Sequence, residues 1–429
     1  MNKNVYIETY GCWLNRGESD IIKDFISNAR YDITKKIEDA DIVIINTCAI
    51  REETEYNMLR RIQELEKLRQ TYGFKFIITG CLVNVRPKTI LNIAPEASLI
   101  EPDALHKLPH ALSNSNQIII IRQYKRNKDL LPRYKGGITY IVPIQSGCLG
   151  NCAFCIEWIT RGRGVKSVSN KNIVEKIKDA VKRGAKEIIL TGQDIATYGV
   201  DIGTNLISLI ENILENVRGD YWIRLGMMEP WTTKKFAEVL ASLMKDERIY
   251  SYLHLPVQSG DNEVLKLMRR KYTVEEYETL ISIFREKKRK INLVSDIIVG
   301  FPGEKEKNFL NTINFLKKIK FDKVHVARYS LRPFTQAYLL HQVSESKKKR
   351  RSRIVSKICL EIAHEINKTY IGSRKIVLIK EKGKKSSYIG RTKEFKPVVF
   401  YEYSLSIGEK VKAKIIDATP LYLIGKVID

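Results

Sequence analysis

Cys148-Leu149-Gly150-Asn151-Cys152-Ala153-Phe154-Cys155 sets three cysteines in one short loop, spaced Cys-x3-Cys-x2-Cys, directly after an apolar run near 138–144 that reads as a strand. Three thiolates this close together can wrap one face of a cubane iron–sulfur cluster, and they leave one iron without a protein ligand. An open metal position signals catalysis, by the reasoning that separates open catalytic zinc sites from closed structural ones. The competing reading is a zinc site completed by His106 or His254. Zinc patterns, however, pair two short-spaced motifs, and no second short-spaced pair occurs in this chain.

Upstream of that loop, residues 1–115 repeat one pattern three times: an apolar strand, a cysteine, an amphipathic helix. The expected strands are Val5–Tyr10, Asp41–Asn46 and Phe74–Thr79, and they run into Tyr10-Gly11-Cys12, Asn46-Thr47-Cys48 and Thr79-Gly80-Cys81. Strands alternating with helices form a parallel sheet, and right-handed crossovers put every strand's carboxyl end on one edge. Ligands of open α/β sheets bind at that edge. Neighbouring strands are about 4.8 Å apart, so Cys12, Cys48 and Cys81 can converge despite their distance in sequence. The helix over 51–70 opens with Arg51-Glu52-Glu53, an acidic first turn that suits the helix dipole.

Downstream, a basic connector, Arg122–Lys135, leads into a second unit spanning 134–369. Strands are expected near 138–144, 187–191, 221–226, 252–257, 292–299 and 323–329, with helices such as Asn172–Arg183 and Thr232–Lys245 between them. Six such repeats make a partial parallel α/β barrel. Polar residues punctuate the strand ends: Gln145, Gln193, Asp194, Arg224, Gln258 and Asp296. That end of a barrel is where chemistry is built, although some of these will be hydrogen-bonded core residues. A charged helix over 343–369 carries Lys347-Lys348-Lys349-Arg350-Arg351-Ser352-Arg353, read as a solvated face, and the lone Cys359, read as a small buried hydrophobe. Residues 370–429 change character. Short β-like runs at Lys375–Lys380, Ser387–Gly390, Val398–Tyr401, Val411–Ile416 and Leu421–Ile428 indicate a small β-barrel. Arg391, Lys393 and Lys396, beside Phe395 and Tyr401, tilt that barrel towards RNA, since basic groups hold phosphates while aromatic faces stack bases.

Composition agrees with this division. A chain of 429 residues is long enough for two or three domains, and 74 Lys and Arg against 49 Asp and Glu give a formal charge of +25. Such a field attracts polyanions, nucleic acid first among them. No apolar run approaches the roughly 20 residues of a membrane span, and the amino terminus lacks a signal-peptide core, so the expectation is a cytoplasmic protein without a membrane partner. Seven cysteines in so long a chain suit metal ligation in a reducing compartment better than a disulfide framework.

These features together resemble the radical-SAM superfamily. With Cys12, Cys48 and Cys81 upstream and a terminal barrel similar to the TRAM domain, the resemblance narrows to the methylthiotransferases and covers nearly the whole chain. Asn46-Thr47-Cys48, Gly147-Cys148, Leu190-Thr191-Gly192-Gln193-Asp194, His254-Leu255-Pro256-Val257-Gln258-Ser259-Gly260 and Asp296-Ile297-Ile298-Val299-Gly300-Phe301-Pro302-Gly303-Glu304 agree in place and wording. The resemblance implies a 4Fe–4S cluster on Cys148, Cys152 and Cys155 whose open iron is chelated by S-adenosyl-L-methionine. Reduction then cleaves that cofactor to methionine and a 5′-deoxyadenosyl radical. It further implies an auxiliary 4Fe–4S cluster on Cys12, Cys48 and Cys81 that carries the sulfur to be inserted. A second S-adenosylmethionine supplies the methyl group. Gln193, Gln258 and the backbone near Phe154 would cradle the cofactor. No acid–base pair is expected, because homolysis needs an electron and a shielded cavity.

Family members act on tRNA adenosines bearing an isopentenyl or a threonylcarbamoyl group, or on an aspartate of a ribosomal protein. Cys148-Leu149-Gly150-Asn151-Cys152 and Gly11-Cys12-Trp13-Leu14-Asn15-Arg16 resemble the archaeal and eukaryotic branch, which implies tRNA and C2 of threonylcarbamoyladenosine beside the anticodon. The segment Tyr329-Ser330-Leu331-Arg332-Pro333-Phe334-Thr335-Gln336-Ala337 departs from the proline and glycine pattern common in this region. The sulfur donor and the electron donor are not legible in the sequence. A non-catalytic, metal-stabilised RNA-binding protein is the competing class, and it would show one fully ligated site rather than two sets of three cysteines.

Overall fold

The structure, a computed structural model, describes residues 3–288, 290–384, 386–401 and 403–428. Its first sheet is wholly parallel and contains β1 (Asn4–Thr9), β2 (Asp32–Ile33), β3 (Ile42–Thr47), β4 (Lys75–Gly80), β5 (Ser98–Ile100) and β6 (Ile119–Ile120), in the order β2-β1-β3-β4-β5-β6. The expected strands are β1, β3 and β4, and they are direct neighbours. The short strands β2, β5 and β6 lack enough apolar alternation to stand out in sequence. Every residue of β3 is buried, as a central strand covered on both faces requires. Helix Trp13–Asn28 follows β1 and helix Glu52–Tyr72 follows β3, the latter with Glu52, Glu53 and Glu55 in its first turn. The third helix is broken into Cys81–Val85 and Pro87–Ile93, because the proline at 87 cannot sit inside a helix.

The second unit begins with β7 (Thr139–Pro143) and an antiparallel hairpin, β8 (Gln145–Cys148) and β9 (Gly164–Ser167), whose connection carries the three clustered cysteines. It continues with β10 (Glu187–Thr191), β11 (Trp222–Leu225), β12 (Tyr252–His254), β13 (Asn292–Val299) and β14 (Lys323–Arg328). Two parallel half-sheets, β11-β10-β7 and β12-β13-β14, meet through isolated parallel bridges at Ile223–Ile249 and Met227–His254. The result is an open arc with helices outside. Ile188, Leu190, Ile223, Leu225, Leu253, Leu293 and Ile297 face those helices in one continuous core, so the alternate residues of the same strands face the lumen. Two expectations needed correction. Strand β12 stops at His254 because Pro256 has no N–H to donate, and pairing resumes only at the Gln258–Ile297 bridge. The helix expected over 232–245 is split into Pro230–Thr233, a 3-10 turn at Lys234–Phe236 and Ala237–Leu243.

Helix Glu345–Lys368 packs along β14. Its basic run is only partly solvated: Lys347, Lys349, Arg350 and Arg353 are exposed, whereas Lys348 and Arg351 are buried and Arg351 pairs with Glu304 at 2.6 Å. Cys359 on the same helix is buried in the apolar core. The chain ends in a closed barrel of β15 (Arg374–Lys382), β16 (Ser387–Thr392), β17 (Pro397–Tyr401), β18 (Lys410–Ala418) and β19 (Leu423–Val427), ordered β15-β16-β17-β19-β18. Its 392–396 loop plugs the amino-terminal end of the central strands. There Ser251 donates to the Lys393 carbonyl at 2.9 Å, Asn292 Nδ2 donates to the Glu394 carbonyl at 2.8 Å, and Phe395 stacks edge-on against Tyr250 and Tyr252. Among the described residues no helix is long and apolar enough to cross a membrane.

Candidate active site

The carboxyl ends of β1, β3 and β4 bring Cys12, Cys48 and Cys81 to one sheet edge. Gly80 has φ +93°, and a Cβ there would fall 2.3 Å from the Thr47 carbonyl oxygen, so glycine lets β4 close against β3 just before Cys81. Asn15, in the first turn of the first helix, ties the set together. Its Oδ1 lies 3.6 Å from Cys12 Sγ and 4.0 Å from Cys81 Sγ, while its Nδ2 donates to the Tyr10 and Thr47 carbonyls at 3.0 and 2.9 Å. A Cβ built on Gly11 would sit 3.2 Å from Cys48 Sγ, so the third sulfur borders the same recess. Cys12 is the exposed member of the three, yet burial of its sulfur against the surrounding protein pushes its thiol up to about 11.

Cys148, Cys152 and Cys155 line the connection between β8 and β9. Gly147, at φ +88°, has the Gly164 carbonyl oxygen 2.0 Å from where a Cβ would be, so the hairpin closes only on glycine. Each sulfur faces an N–H donor: Gly150 N lies 3.2 Å from Cys148 Sγ, Arg270 Nη1 lies 3.3 Å from Cys152 Sγ and Glu157 N lies 3.4 Å from Cys155 Sγ. Such donors favour thiolate, the form that ligates metal. Burial is the main force pushing these thiols up, Cys148 to about 12, so a metal that bound them would displace protons. All six cysteines are free. Two groups of soft sulfur donors, each backed by N–H groups, fit iron–sulfur clusters.

The two groups face one another across a charged seam. Helix Glu157–Arg161, which follows Cys155, carries Arg161 into the first unit. There its Nη2 bonds Glu18 Oε2 at 2.9 Å and lies 3.4 Å from Asn15 Oδ1 and 3.7 Å from Cys81 Sγ. The Glu157 carboxylate adds to the upward push that burial gives Cys12, Cys48 and Cys81 on one side and Cys155 on the other. Glu157 is therefore within electrostatic reach of both cysteine sets. Behind Cys152, Arg270 pairs with the buried Glu229 at 2.7 Å. Glu229 in turn adds to the burial that raises neighbouring Asp194 to about 7.

The remaining expected residues are distributed as follows. Gln193 Oε1 accepts from Gly147 N at 2.8 Å, bracing the strand that ends in Cys148. Phe154 packs edge-on against Phe301 beneath the cysteine loop, at 6.4 Å between ring centres. Gln258 adopts φ 71° and is held to β13 through its backbone N–H and C=O, leaving its side chain half-buried on the lumen side. Gln145 is fully buried and donates to the Asp194 carbonyl, a core role. His254 is no partner of the cysteines: its Nε2 meets Asp296 Oδ2 at 3.1 Å, and with His325 the two form a lumen cluster whose ligand atoms lie within 4.8 Å of one another.

Of the basic residues expected to face RNA, Lys396 needs correction. Lys396 is 3% exposed and held by Asp322 at 2.7 Å and Asn367 at 2.8 Å. Lys393 donates to the Glu247 carbonyl, and Arg391 lies over Phe395 at 4.9 Å. Burial removes Lys396 from phosphate, while Arg391 and Lys393 stay half-buried at the seam between the terminal barrel and the central unit. Sequence reasoning also missed Glu157, Arg161 and Arg270. Only Asn15, inside the Gly11–Arg16 stretch already noted, left a signal.

With this geometry in hand, comparison with known proteins is informative. The radical SAM superfamily profile matches residues 142–316, the profile of Uncharacterized protein family UPF0004 matches 4–101, and the TRAM domain matches 368–428. A Pyrococcus horikoshii protein named probable threonylcarbamoyladenosine tRNA methylthiotransferase is 40% identical over 99% of both chains. A Methanocaldococcus jannaschii protein of the same name is 38% identical over 100% of this chain and 98% of its own. A tRNA-2-methylthio-N(6)-dimethylallyladenosine synthase from Fusobacterium nucleatum is 33% identical over 99% of this chain and 100% of its own. Among solved structures, the radical S-adenosylmethionine methyltransferase TsrM from Kitasatospora setae shares the fold, with TM-score 0.57 at 13% identity over 79% of this chain and 75% of that one. The radical SAM match brings with it an iron–sulfur cluster and S-adenosylmethionine. Identity of 33–40% over nearly the full length of relatives named for methylthio modification of tRNA, on a fold with this order of parts, makes the chain a member of the radical SAM methylthiotransferase family.

Proposed function

We propose that this chain inserts a methylthio group at C2 of N6-threonylcarbamoyladenosine next to the anticodon of tRNA. The observation that carries this reading is the pair of three-cysteine sets facing one another across the Glu157–Arg161 seam, in a chain whose archaeal full-length relatives are named for that substrate. Cys148, Cys152 and Cys155 hold one 4Fe–4S cluster and Cys12, Cys48 and Cys81 hold a second. When bound, these clusters and S-adenosylmethionine supply the one-electron chemistry, the sulfur and the methyl group. The chain's own residues orient and shield them. Arg270 and Arg161 bring positive charge to Cys152 and Cys81, which favours the thiolate ligands. Asn15 fixes the first sulfur set, and Gln193 fixes the strand leading to the second. Gln258 and the backbone at Phe154 line the place for S-adenosylmethionine.

Phosphate contact moves to another face of the terminal barrel. Arg374, Lys414 and Lys426 are exposed and stand side by side across β15, β18 and β19, with Lys412 one pleat along. Electrons and sulfur come from donors outside this chain. Anaerobic preparation followed by iron and sulfide analysis, with mass spectrometry of nucleosides from treated tRNA, tests the proposal. About eight irons per chain, as two cubanes require, together with a methylthio product on threonylcarbamoyladenosine, is the expected result. A single zinc without product would return the chain to a metal-stabilised RNA-binding protein.

A further inference from the structure

Arg161, Arg224, Arg332 and Arg351 are buried, and three of them meet a carboxylate: Arg161 with Glu18 at 2.9 Å, Arg332 with Glu55 at 2.6 Å and Arg351 with Glu304 at 2.6 Å. Arg224 is the exception. It is 6% exposed, it donates one hydrogen bond, from Nη2 to Tyr252 Oη at 2.9 Å, and its Nε has no partner among the described residues. Its guanidinium lies between ring faces, 4.6 Å from Tyr252, 5.1 Å from Phe395 and 5.9 Å from Trp13. Aromatic faces attract a cation but leave its charge uncompensated. Lys323, at the exposed start of β14, adds a further positive charge nearby: its ammonium is pushed down first by burial and then by Arg391 and Arg224. An unpaired buried charge is costly, so proteins keep one where an anion arrives from outside.

The position is equally informative. Ile223 and Leu225, on either side of Arg224 in β11, face the outer helices, so Arg224 points into the lumen. Trp13, across the lumen, follows Cys12 directly in the chain. The lumen floor is closed by Phe395, and its wall carries the His254–Asp296–His325 cluster. A substrate base beside the Cys12 set would thus extend its substituent towards a guanidinium. Of the two adenosine substituents for which the relatives are named, dimethylallyl is uncharged and apolar, whereas threonylcarbamoyl ends in a free carboxylate.

We infer that Arg224, with Lys323 beside it, is the specificity-determining receptor for the carboxylate of the substrate's threonyl group. The inference rests on the proposed substrate and deepens it. Pairing engages donors of Arg224 that the protein leaves open, Nε among them, and an apolar substituent would leave them unpaired, which is the condition for strong rejection. The test uses cluster-loaded protein and three anticodon stem-loops that carry threonylcarbamoyladenosine, its threoninamide analogue or isopentenyladenosine. Wild-type protein should favour the acid over the amide by about 30-fold or more in kcat/KM, the scale for losing one partner of a buried charge pair. Arg224→Met should lower activity on the acid by a similar factor and treat acid and amide alike. Arg224→Lys should keep part of the discrimination. Iron content and thermal melting report whether each variant is folded, and the wild-type comparison of acid with amide needs no variant at all. Equal use of acid and amide by the wild type, or discrimination retained by folded Arg224→Met, would overturn the inference while leaving the substrate reading intact. Wild-type activity on the isopentenyl loop with none on either threonyl loop would overturn both.

Discussion

Substituting Glu18 by glutamine should open the seam between the two cysteine units. Glu18 and Arg161 have side chains 2% and 0% exposed, and Glu18 also faces Arg126 at 3.6 Å, so one carboxylate meets two buried guanidiniums. Asp103, 3.7 Å from Arg126 and 2.7 Å from Lys166, is already committed and cannot replace it. Removing one partner of a buried pair costs about 3–5 kcal/mol. Arg161→Met should cost less, about 1.5–3 kcal/mol for bonds to a charged group, since Glu18 keeps Arg126. The double variant Glu18→Leu with Arg161→Met should fall short of the sum by about 1–3 kcal/mol, the coupling expected of contacting residues. Trp13 opens the first helix and Trp158 lies in the helix that carries Arg161, so tryptophan fluorescence during guanidinium unfolding of cluster-loaded protein reports on this interface. Because Arg161 touches Cys81 Sγ at 3.7 Å, iron retention should fall in the same order. Single variants within about 0.5 kcal/mol of wild type, the range of ordinary surface substitutions, would refute the claim that this pair holds the units together.

Further outcomes follow from the same geometry. Cys152→Ala should abolish S-adenosylmethionine cleavage, whereas Cys48→Ala should leave cleavage running without methylthio product; paired assays of 5′-deoxyadenosine and product mass decide, and full methylthiolation by Cys48→Ala would end the two-cluster reading. RNA affinity should fall steeply with salt, and Lys414→Ala should reduce the slope of log K against log salt by about 1, because each phosphate contact releases counterion. Lys396→Met, by contrast, should lower stability and leave that slope unchanged. His325 is held down to about 4 by burial, with Lys323, His254 and Arg51 opposing its proton and Asp296 favouring it. The unfolded chain therefore takes up that proton first, and stability present above the ordinary value of 6.5 is lost as pH falls towards 4. His325→Gln should flatten the slope of melting temperature over that interval.

How much of this was legible beforehand depends on the range of the interaction. Cys12, Cys48 and Cys81 could be placed because strand period and crossover handedness are local rules that fix which sheet edge a residue reaches. The three clustered cysteines needed only their spacing. Lys396 was misread because nothing local distinguishes a lysine beside a turn that meets solvent from one that meets Asp322, a residue 74 positions earlier. The half-buried Arg391 and Lys393 are likewise set by distant residues of the central unit, Glu187 beside the first and Glu247 beside the second. Arg224 was recognised as a polar strand-end residue. Its distinguishing property is the absence of a carboxylate, and an absence of contact is defined only in three dimensions. Glu157 likewise comes within electrostatic reach of both cysteine sets only when the hairpin docks on the first sheet.

The segment Tyr329–Ala337 shows how a departure in sequence can be reconciled with function. It lies after β14 and reaches both cysteine loops at once. Arg332 pairs with Glu55 at 2.6 Å and donates to the Ala49 carbonyl, next to Cys48, while Ala337 N donates at 2.9 Å to the carbonyl of Ala153, between Cys152 and Cys155. The segment is therefore a strut between the two loops, and its ends are fixed by bonds that do not depend on its middle. That freedom is visible at Phe334, which is 62% exposed at φ 64° with Arg122 over its ring at 5.8 Å. A bulky residue rarely adopts that backbone conformation unless its neighbours impose it. The anchors at Arg332 and Ala337 impose it here, and they hold an aromatic face and a guanidinium outward at the rim of the site. Variation along this segment can therefore alter what meets the substrate without disturbing the distance between the two cysteine sets, provided that Arg332 and the backbone bond at Ala337 are kept.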